Sequence, residues 1–321
     1  MEEGRRLILA NPIGGLGNQL FGYAFTRAVQ ERMGNRTVFF NRKLYRRHCI
    51  NDNTAVTEYF SDYYKLLPDK TVVLNDRVSL ALSLIYRRLL RLFFPKWPVG
   101  LTREEFFTRV KWGYIYSRDE ECPCDDVSQL PLKAKFNYIE GYFQWPRLFL
   151  PLRDKLREEL SLKEPLSESA QSILREIKSC ESVCLHVRRG DYLNYDFYDI
   201  CHYPYYKKAM DYIAEKVENP FFYIFSNDID WVEKNYEIPY PHKFVKENHA
   251  APFELELMRG CKHFVISNST FSWWAQFLSE NEAAVVVAPR PWFGDGRKCS
   301  LYLPYWHTID PLAEAEAEAV V

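Results

Sequence analysis

No stretch of this 321-residue chain approaches the roughly 18 uninterrupted apolar residues of a membrane-spanning helix. The nearest candidate, Val78 to Tyr86, is stopped by Arg87 and Arg88. Charge of one sign is not in excess either. Lys+Arg 42 against Asp+Glu 43 leave a formal net charge of −1, so no basic field marks a nucleic-acid binder. The first residues, Met1 to Arg6, are charged and are followed by no long apolar core with a small-residue cleavage site. That reads as a chain without a secretory leader. The eight cysteines, at 49, 122, 124, 180, 184, 201, 261 and 299, make no repeated CxxC pair. In a chain of this length, reduced thiols are the expectation, and a zinc site from Cys122-Pro123-Cys124 with Cys201-His202 has the wrong spacing. Repeats of solenoid length are also missing.

What is present points to an ordinary globular protein. Hydrophobic residues are 47% and charged residues 26%, enough to fill two cores and unlike disordered, collagenous or disulfide-scaffold chains. Aromatics reach 16%, with 22 Tyr, 22 Phe and 8 Trp; ring faces suit sugars and bases, and they suit cores equally. The expectation is a cytoplasmic protein of two domains.

Short β-rich runs alternate with helical patterns, which predicts parallel sheets in an α/β fold. Leu7 to Ala10 is a short apolar strand; a glycine turn, a helix over 18–33 and a second strand over 37–40 complete a βαβ opening. The region 41–150 is less regular and punctuated by Pro95, Pro98, Pro123, Pro131 and Pro146. Helical stretches follow at 150–160 and 167–178. The second half predicts strands at 182–187, 221–225, 263–266 and 284–288, with helices at 205–217, 229–235, 253–259 and 272–278. The tail, Ala313 to Ala319, alternates Ala and Glu and reads as a frayed or disordered end.

Four loops at strand ends carry the polar chemistry. The first, Asn11-Pro12-Ile13-Gly14-Gly15-Leu16-Gly17-Asn18-Gln19, opens a helix whose N–H groups and dipole suit an anion or polar ligand. It is neither the dinucleotide GxGxxG nor a Walker loop, and it also reads as a tight turn with Asn18 as helix cap. The second follows the strand ending His186-Val187 and reads Arg188-Arg189-Gly190-Asp191. Ligands of parallel sheets bind beyond the carboxyl ends of strands, and adjacent arginines there suit bidentate phosphate recognition. The blander alternative pairs one Arg with Asp191 and solvates the other. An integrin-type reading of Arg189-Gly190-Asp191 fails without secretion.

The third loop, Ser226-Asn227-Asp228-Ile229-Asp230, offers an Asp-x-Asp metal reading against a helix-capping one. The fourth, Ser267-Asn268-Ser269-Thr270-Phe271-Ser272-Trp273-Trp274, puts small hydroxyls at a helix start, where they cap it or donate to phosphate. Its Asn268-Ser269-Thr270 sequon reads as chance, and Trp273 and Trp274 read as core. Together the loops suggest a C-terminal domain that binds a nucleotide diphosphate without a metal.

Gly14 to Phe21, His186 to Tyr192, Phe225 to Asp228, Glu254 to Met258 with Cys261-Lys262-His263, and Ser267 to Trp274 stand in one order over residues 7–293. In that order they resemble the bacterial α-1,2-fucosyltransferases. The resemblance implies a GT-B fold of two facing Rossmann-like domains: 1–160 on the acceptor side and 161–321 binding GDP-L-fucose. It implies inverting transfer of fucose to the 2-hydroxyl of a terminal galactose, on an oligosaccharide or lipid-linked glycan, with no metal and no other cofactor. Arg188 would then contact the pyrophosphate, with His186 near the nucleoside and Arg189 beside it. Ser269, Thr270 and Phe271 would line the phosphate and nucleotide pocket. Asn227 and Asp228 would sit near guanine or ribose, and Asn18 and Gln19 would reach over from the first domain. Arg188 and Asp191 are the catalytic candidates, Asp191 as base or as the group that orients an arginine. Glu254 departs from the family's usual Asp but keeps the charge. Segment 41–135 carries no matching motif, so acceptor choice is expected there. Rival readings are a different nucleotide sugar and a non-catalytic nucleotide-sugar binder.

Finally, Leu80 to Phe94 is apolar with Arg87, Arg88 and Arg91 on one arc of a helix. It reads either as an ordinary surface helix packed on a core or as a basic amphipathic helix at the inner face of a membrane.

Overall fold

A computed structural model describes residues 7–34, 38–40, 60–61, 76–94, 100–118, 121–162, 165–246 and 250–313. The Ala-Glu tail beyond Ala313, the first six residues and most of 41–75 lie outside the described residues. Contacts divide the chain into two compact units. One is Met1–Glu164 with Cys299–Leu301; the other is Pro165–Lys298 with Tyr302–Val321.

In the first unit, β1 (Leu7–Pro12) runs into α1 (Leu16–Met33) and β2 (Val38–Phe40). Then come β3 (Phe60–Ser61), α2 (Asp76–Phe93), α3 (Arg103–Lys111), β4 (Tyr114–Ser117), β5 (Phe136–Gly141), α4 (Arg153–Glu159) and β6 (Ser161–Leu162). Strands β2-β1-β5-β4 form a parallel sheet in that order, and β3 pairs antiparallel with β6. Asn18 does not cap α1: the helix starts two residues earlier, with Gly15 at the N-cap and no side-chain bond there. It ends on Gly34 in the left-handed region, where glycine has no Cβ to clash. A capping box starts α3, since the Thr102 hydroxyl accepts from Glu105 N and the Glu105 carboxylate accepts from Thr102 N.

Strands β4 and β5 fall in the region that reads as irregular from sequence. Both faces of them are covered, so the polar–apolar alternation that announces a half-exposed strand is missing. Buried Asn137 and Glu140 interrupt β5 further. Glu140 accepts from Asn11 Nδ2 at 2.9 Å and from the Tyr138 hydroxyl. A second buried carboxylate, Glu159, accepts from Arg27 Nη2 at 2.8 Å, from Arg27 Nε at 2.9 Å and from the Tyr23 hydroxyl. It ties α1 to α4.

The second unit holds α5 (Glu168–Lys178), β7 (Glu181–Val187), α6 (Tyr203–Lys216), β8 (Pro220–Ser226), α7 (Ile229–Asn235) and β9 (His242–Phe244). It continues with α8 (Ala251–Arg259), β10 (His263–Val265), α9 (Thr270–Leu278), β11 (Val286–Pro289) and β12 (His307–Ile309). All six strands are parallel, in the order β12-β11-β10-β7-β8-β9. The chain moves outward from β7 through β8 to β9, then returns to the other side of β7 as β10. The strand order therefore reverses between β7 and β10, and this is where a parallel sheet opens a crevice at its carboxyl edge. Short β9 and β12 add edges that the sequence pattern does not announce. The predicted strands and helices of this half otherwise coincide with observed ones to within two residues. Trp273 and Trp274 are fully buried in α9 and are core residues. Among the described residues no helix is long and apolar enough to cross a membrane.

Candidate functional site

The crevice between β7 and β10 is lined by the loops that leave them. After Val187 the chain turns through Arg188 and Arg189 to Gly190, whose φ is +57°. A Cβ at Gly190 would lie 2.2 Å from Asn227 Nδ2 in a left-handed backbone, so glycine is favoured at the turn. The two arginines then part. Arg189 is engaged with the neighbouring β8 loop: its N–H donates to Asn227 Oδ1 at 2.9 Å and its Nε to Asp228 Oδ2 at 3.3 Å. Its guanidinium lies over the Trp231 ring, a cation–π contact.

Arg188 points the other way. Its Nη2 donates to Asp191 Oδ1 at 2.7 Å, and its guanidinium carbon sits 5.4 Å from the Tyr192 ring centre. Its Nε is buried and has no hydrogen-bond partner among the described residues. A buried guanidinium donor without an acceptor is costly, and an anion would satisfy it. Of the two adjacent arginines, Arg188 is the one with a buried donor that lacks an acceptor.

Across the crevice, the β10 loop supplies small polar groups. His186 at the end of β7 contacts Ser267 Oγ through Nδ1 at 3.1 Å, and its ring lies 5.9 Å from that of Phe271. Burial, reinforced by Arg188, pushes the His186 pKa down to about 3. The imidazole is therefore neutral at physiological pH and acts as a hydrogen-bonding ring, not a cation. Ser269 caps α9, its Oγ accepting from Phe271 N at 3.3 Å, and half-buried Thr270 is the first helical residue. Asn268 is a brace: its Nδ2 donates to the carbonyls of Tyr198 and Trp292 at 2.9 and 3.1 Å. At 2% exposure it is no glycosylation acceptor. The Tyr192 hydroxyl donates to Asn268 O at 3.3 Å, joining the β7 and β10 loops.

Helix α8 adds Glu254. Burial raises its carboxyl to about 7, and the positive charge of Arg188 only partly opposes this. A carboxyl that titrates near neutrality beside an arginine in a crevice is a mark of functional sites.

Placement by the structure thus sorts the residues proposed from sequence. Arg188, Asp191, His186, Ser269, Thr270 and Phe271 gather around the β7–β10 crevice. Asn227 and Asp228 lie at its margin, their side chains holding Arg189. The capping role suggested for them is not seen, because α7 has no side-chain cap bond. In the first unit, Asn18 Oδ1 accepts from Gln144 Nε2 at 2.9 Å, and buried Gln19 donates Nε2 to Gly14 O at 2.8 Å. Both brace the glycine loop. Sequence reasoning missed the site roles of Glu254, Tyr192, Ser267 and Trp231. Three of these stand inside quoted motifs, so their position was visible, but their burial and partners were not. A cavity of about 600 Å³ at the opposite, amino ends of β7 and β10 is lined by Glu181, Lys262 and His263. Glu181 is paired there with both Lys262 and His263, at 2.6 and 3.3 Å.

The chain is similar to several known glycosyltransferases. The O-antigen biosynthesis glycosyltransferase WbnK of Escherichia coli is 27% identical over 91% of this chain and 97% of its own. An alpha-1,2-colitosyltransferase of Escherichia coli is 26% identical over 89% of this chain and 92% of its own. Galactoside alpha-(1,2)-fucosyltransferase 1 of Aotus azarae is 31% identical over 43% of this chain and 42% of its own. Among solved structures, a mutant of Arabidopsis thaliana FUT1 in complex with GDP superposes with a TM-score of 0.52, at 13% identity, over 90% of this chain and 71% of that one. The fold is shared. The family described as Glycosyl transferase family 11 matches residues 101–310, more than half of the chain and all of the crevice loops, and the chain belongs to that family of glycosyltransferases.

Proposed function

We propose that this enzyme is an α-1,2-fucosyltransferase that moves L-fucose from GDP-β-L-fucose, with inversion, to the 2-hydroxyl of a terminal galactose. The two parallel-sheet units are read as the halves of a GT-B-type enzyme, the second binding the donor. The observation that carries the reading is the buried, unpartnered Nε of Arg188 at the switch point of the second sheet. Facing it is a helix start that carries Ser269 and Thr270. This arrangement suits a diphosphate.

As the sugar–oxygen bond breaks, negative charge grows on the β-phosphate of departing GDP. A fixed guanidinium there stabilises the transition state more than the ground state. Asp191 holds Arg188 by Nη2, which leaves Nε and the rest of the fork for phosphate. The same charge neutralisation makes a metal unnecessary in this reading, and Asp228 is committed to Arg189 instead. Neutral His186 and Phe271 offer a ring-lined wall for the nucleoside. Kinship to galactoside fucosyltransferases and to a 1,2-colitosyltransferase supports both the linkage and a deoxyhexose donor.

Turnover is the test. GDP release from GDP-fucose should require a β-galactoside, continue in EDTA, and give an α-1,2 product by NMR. Melting should shift with GDP and not with UDP. A shift that needs a divalent ion, or one produced by UDP, would refute the donor site. The colitosyltransferase relative, matched over nearly its whole length, favours one second reading, transfer of a colitosyl group. Comparing GDP-fucose with GDP-colitose as donors decides between the two.

A further inference from the structure

Helix α2 is apolar on two opposite sides. One side faces the first unit's core: Tyr86 packs on Phe136 and Tyr138 with ring centres 4.6 and 5.7 Å away, Leu90 is 6% exposed, and Phe94, just past the helix, lies 6.3 Å from Tyr114. This side alone accounts for an ordinary packed surface helix. The other side should then be polar, and apart from Arg88 it is largely apolar. Leu84, Ile85, Leu89, Leu92 and Phe93 are 50, 58, 50, 77 and 73% exposed. Trp112, whose carbonyl accepts from the Tyr86 hydroxyl, is 68% exposed. Five large apolar side chains exposed along one helix exceed the scattered singles expected of a soluble surface.

Charge indicates what covers the patch. From Val78 to Thr102 the sequence carries Arg87, Arg88, Arg91 and Lys96 and no acidic residue; acids return only at Glu104 and Glu105. Arg88, one turn from both Leu84 and Leu92, is exposed within this face, and Arg91 is exposed at its edge beside Leu84. A second copy of the chain is a poor occupant, because a two-fold contact would set this basic helix against itself. We propose that α2 lies in the interface of an anionic bilayer, its leucines and Phe93 entering the acyl boundary while Arg88 and Arg91 meet phosphate headgroups. An exposed tryptophan beside such a helix suits the same headgroup level. The enzyme would then work at a membrane surface without spanning it, whatever its donor.

Co-sedimentation of the full chain with vesicles tests this. Phosphatidylcholine vesicles with about 30% phosphatidylglycerol should bind it, and phosphatidylcholine alone should bind it at least ten-fold more weakly. Replacing Arg88 and Arg91 together by Ser should weaken binding about 25-fold, roughly five-fold for each charge. The pair Leu89→Ser and Leu92→Ser should weaken it at least ten-fold, with melting temperature and GDP-induced shift unchanged. Absence of binding to the anionic vesicles overturns the proposal, as does binding that neither pair alters. Light scattering that shows a dimer dissolved by the leucine pair, with no vesicle binding, would assign the face to a second copy and overturn it too.

Discussion

Arg188 is where the donor-site reasoning is most exposed to refutation. Its Nη2 is occupied by Asp191 at 2.7 Å, and its buried Nε has no partner. Truncation to Ala removes the charge-assisted bonds to the diphosphate and strands Asp191 without its cation. A hydrogen bond to a charged group is worth about 1.5–3 kcal/mol, so GDP should bind roughly 10- to 150-fold more weakly. Loss of a donor that acts on developing charge costs a further rate factor of about 10²–10³ in kcat. Arg188→Lys keeps the charge but has a single ammonium head, which cannot hold Asp191 and the phosphate in two directions at once. It should recover GDP affinity in part and kcat hardly at all. Asp191→Asn should lower GDP affinity more than kcat if Asp191 orients the guanidinium, and kcat more than affinity if it is the base. The assay is steady-state GDP release from GDP-fucose with a saturating galactoside, paired with calorimetric titration of GDP. If Arg188→Ala kept GDP affinity within two-fold and turned over near normally, the diphosphate would not lie at this crevice.

Three further outcomes follow from particular contacts. Glu254 titrates near 7 in the folded protein against an ordinary 4.5, so the native state holds a proton that the unfolded chain has released. Its contribution to stability is fully present below about pH 4.5 and is lost as pH rises through 7, by at most roughly 3 kcal/mol. Thermal denaturation of Glu254→Gln against wild type should lack this fall, and GDP affinity, expected to fall above neutrality in wild type, should flatten with pH. Glu159→Gln breaks the buried pair with Arg27 and should cost about 3–5 kcal/mol in urea unfolding. Gly190→Ala forces a side chain into the left-handed region against Asn227, at about 1–3 kcal/mol; it should also weaken GDP binding, because the displaced loop carries Arg188 and Arg189.

Much of this protein was legible in the linear chain. Alternating apolar runs and helical patterns forecast parallel α/β architecture, because strand and helix periods are local properties of sequence. The four loops and their order were equally plain: Gly-rich turns, paired arginines and small hydroxyls declare themselves by residue type. What local pattern could not reach was the core of the first unit, where β4 and β5 are covered on both faces and carry a buried Asn and Glu that mimic loop composition. Neither could it divide labour between adjacent residues. Arg188 and Arg189 are alike in sequence, yet Trp231, Asp228 and Asn227, some forty residues away, engage the second, while the first keeps a buried donor without an acceptor. The titration of Glu254 and the neutrality of His186 likewise depend on burial by elements distant in the chain, since desolvation is set by what packs around a group. Sequence determined which chemical groups stand at the strand ends; only tertiary structure decided which of them are spent on each other and which are left for a ligand.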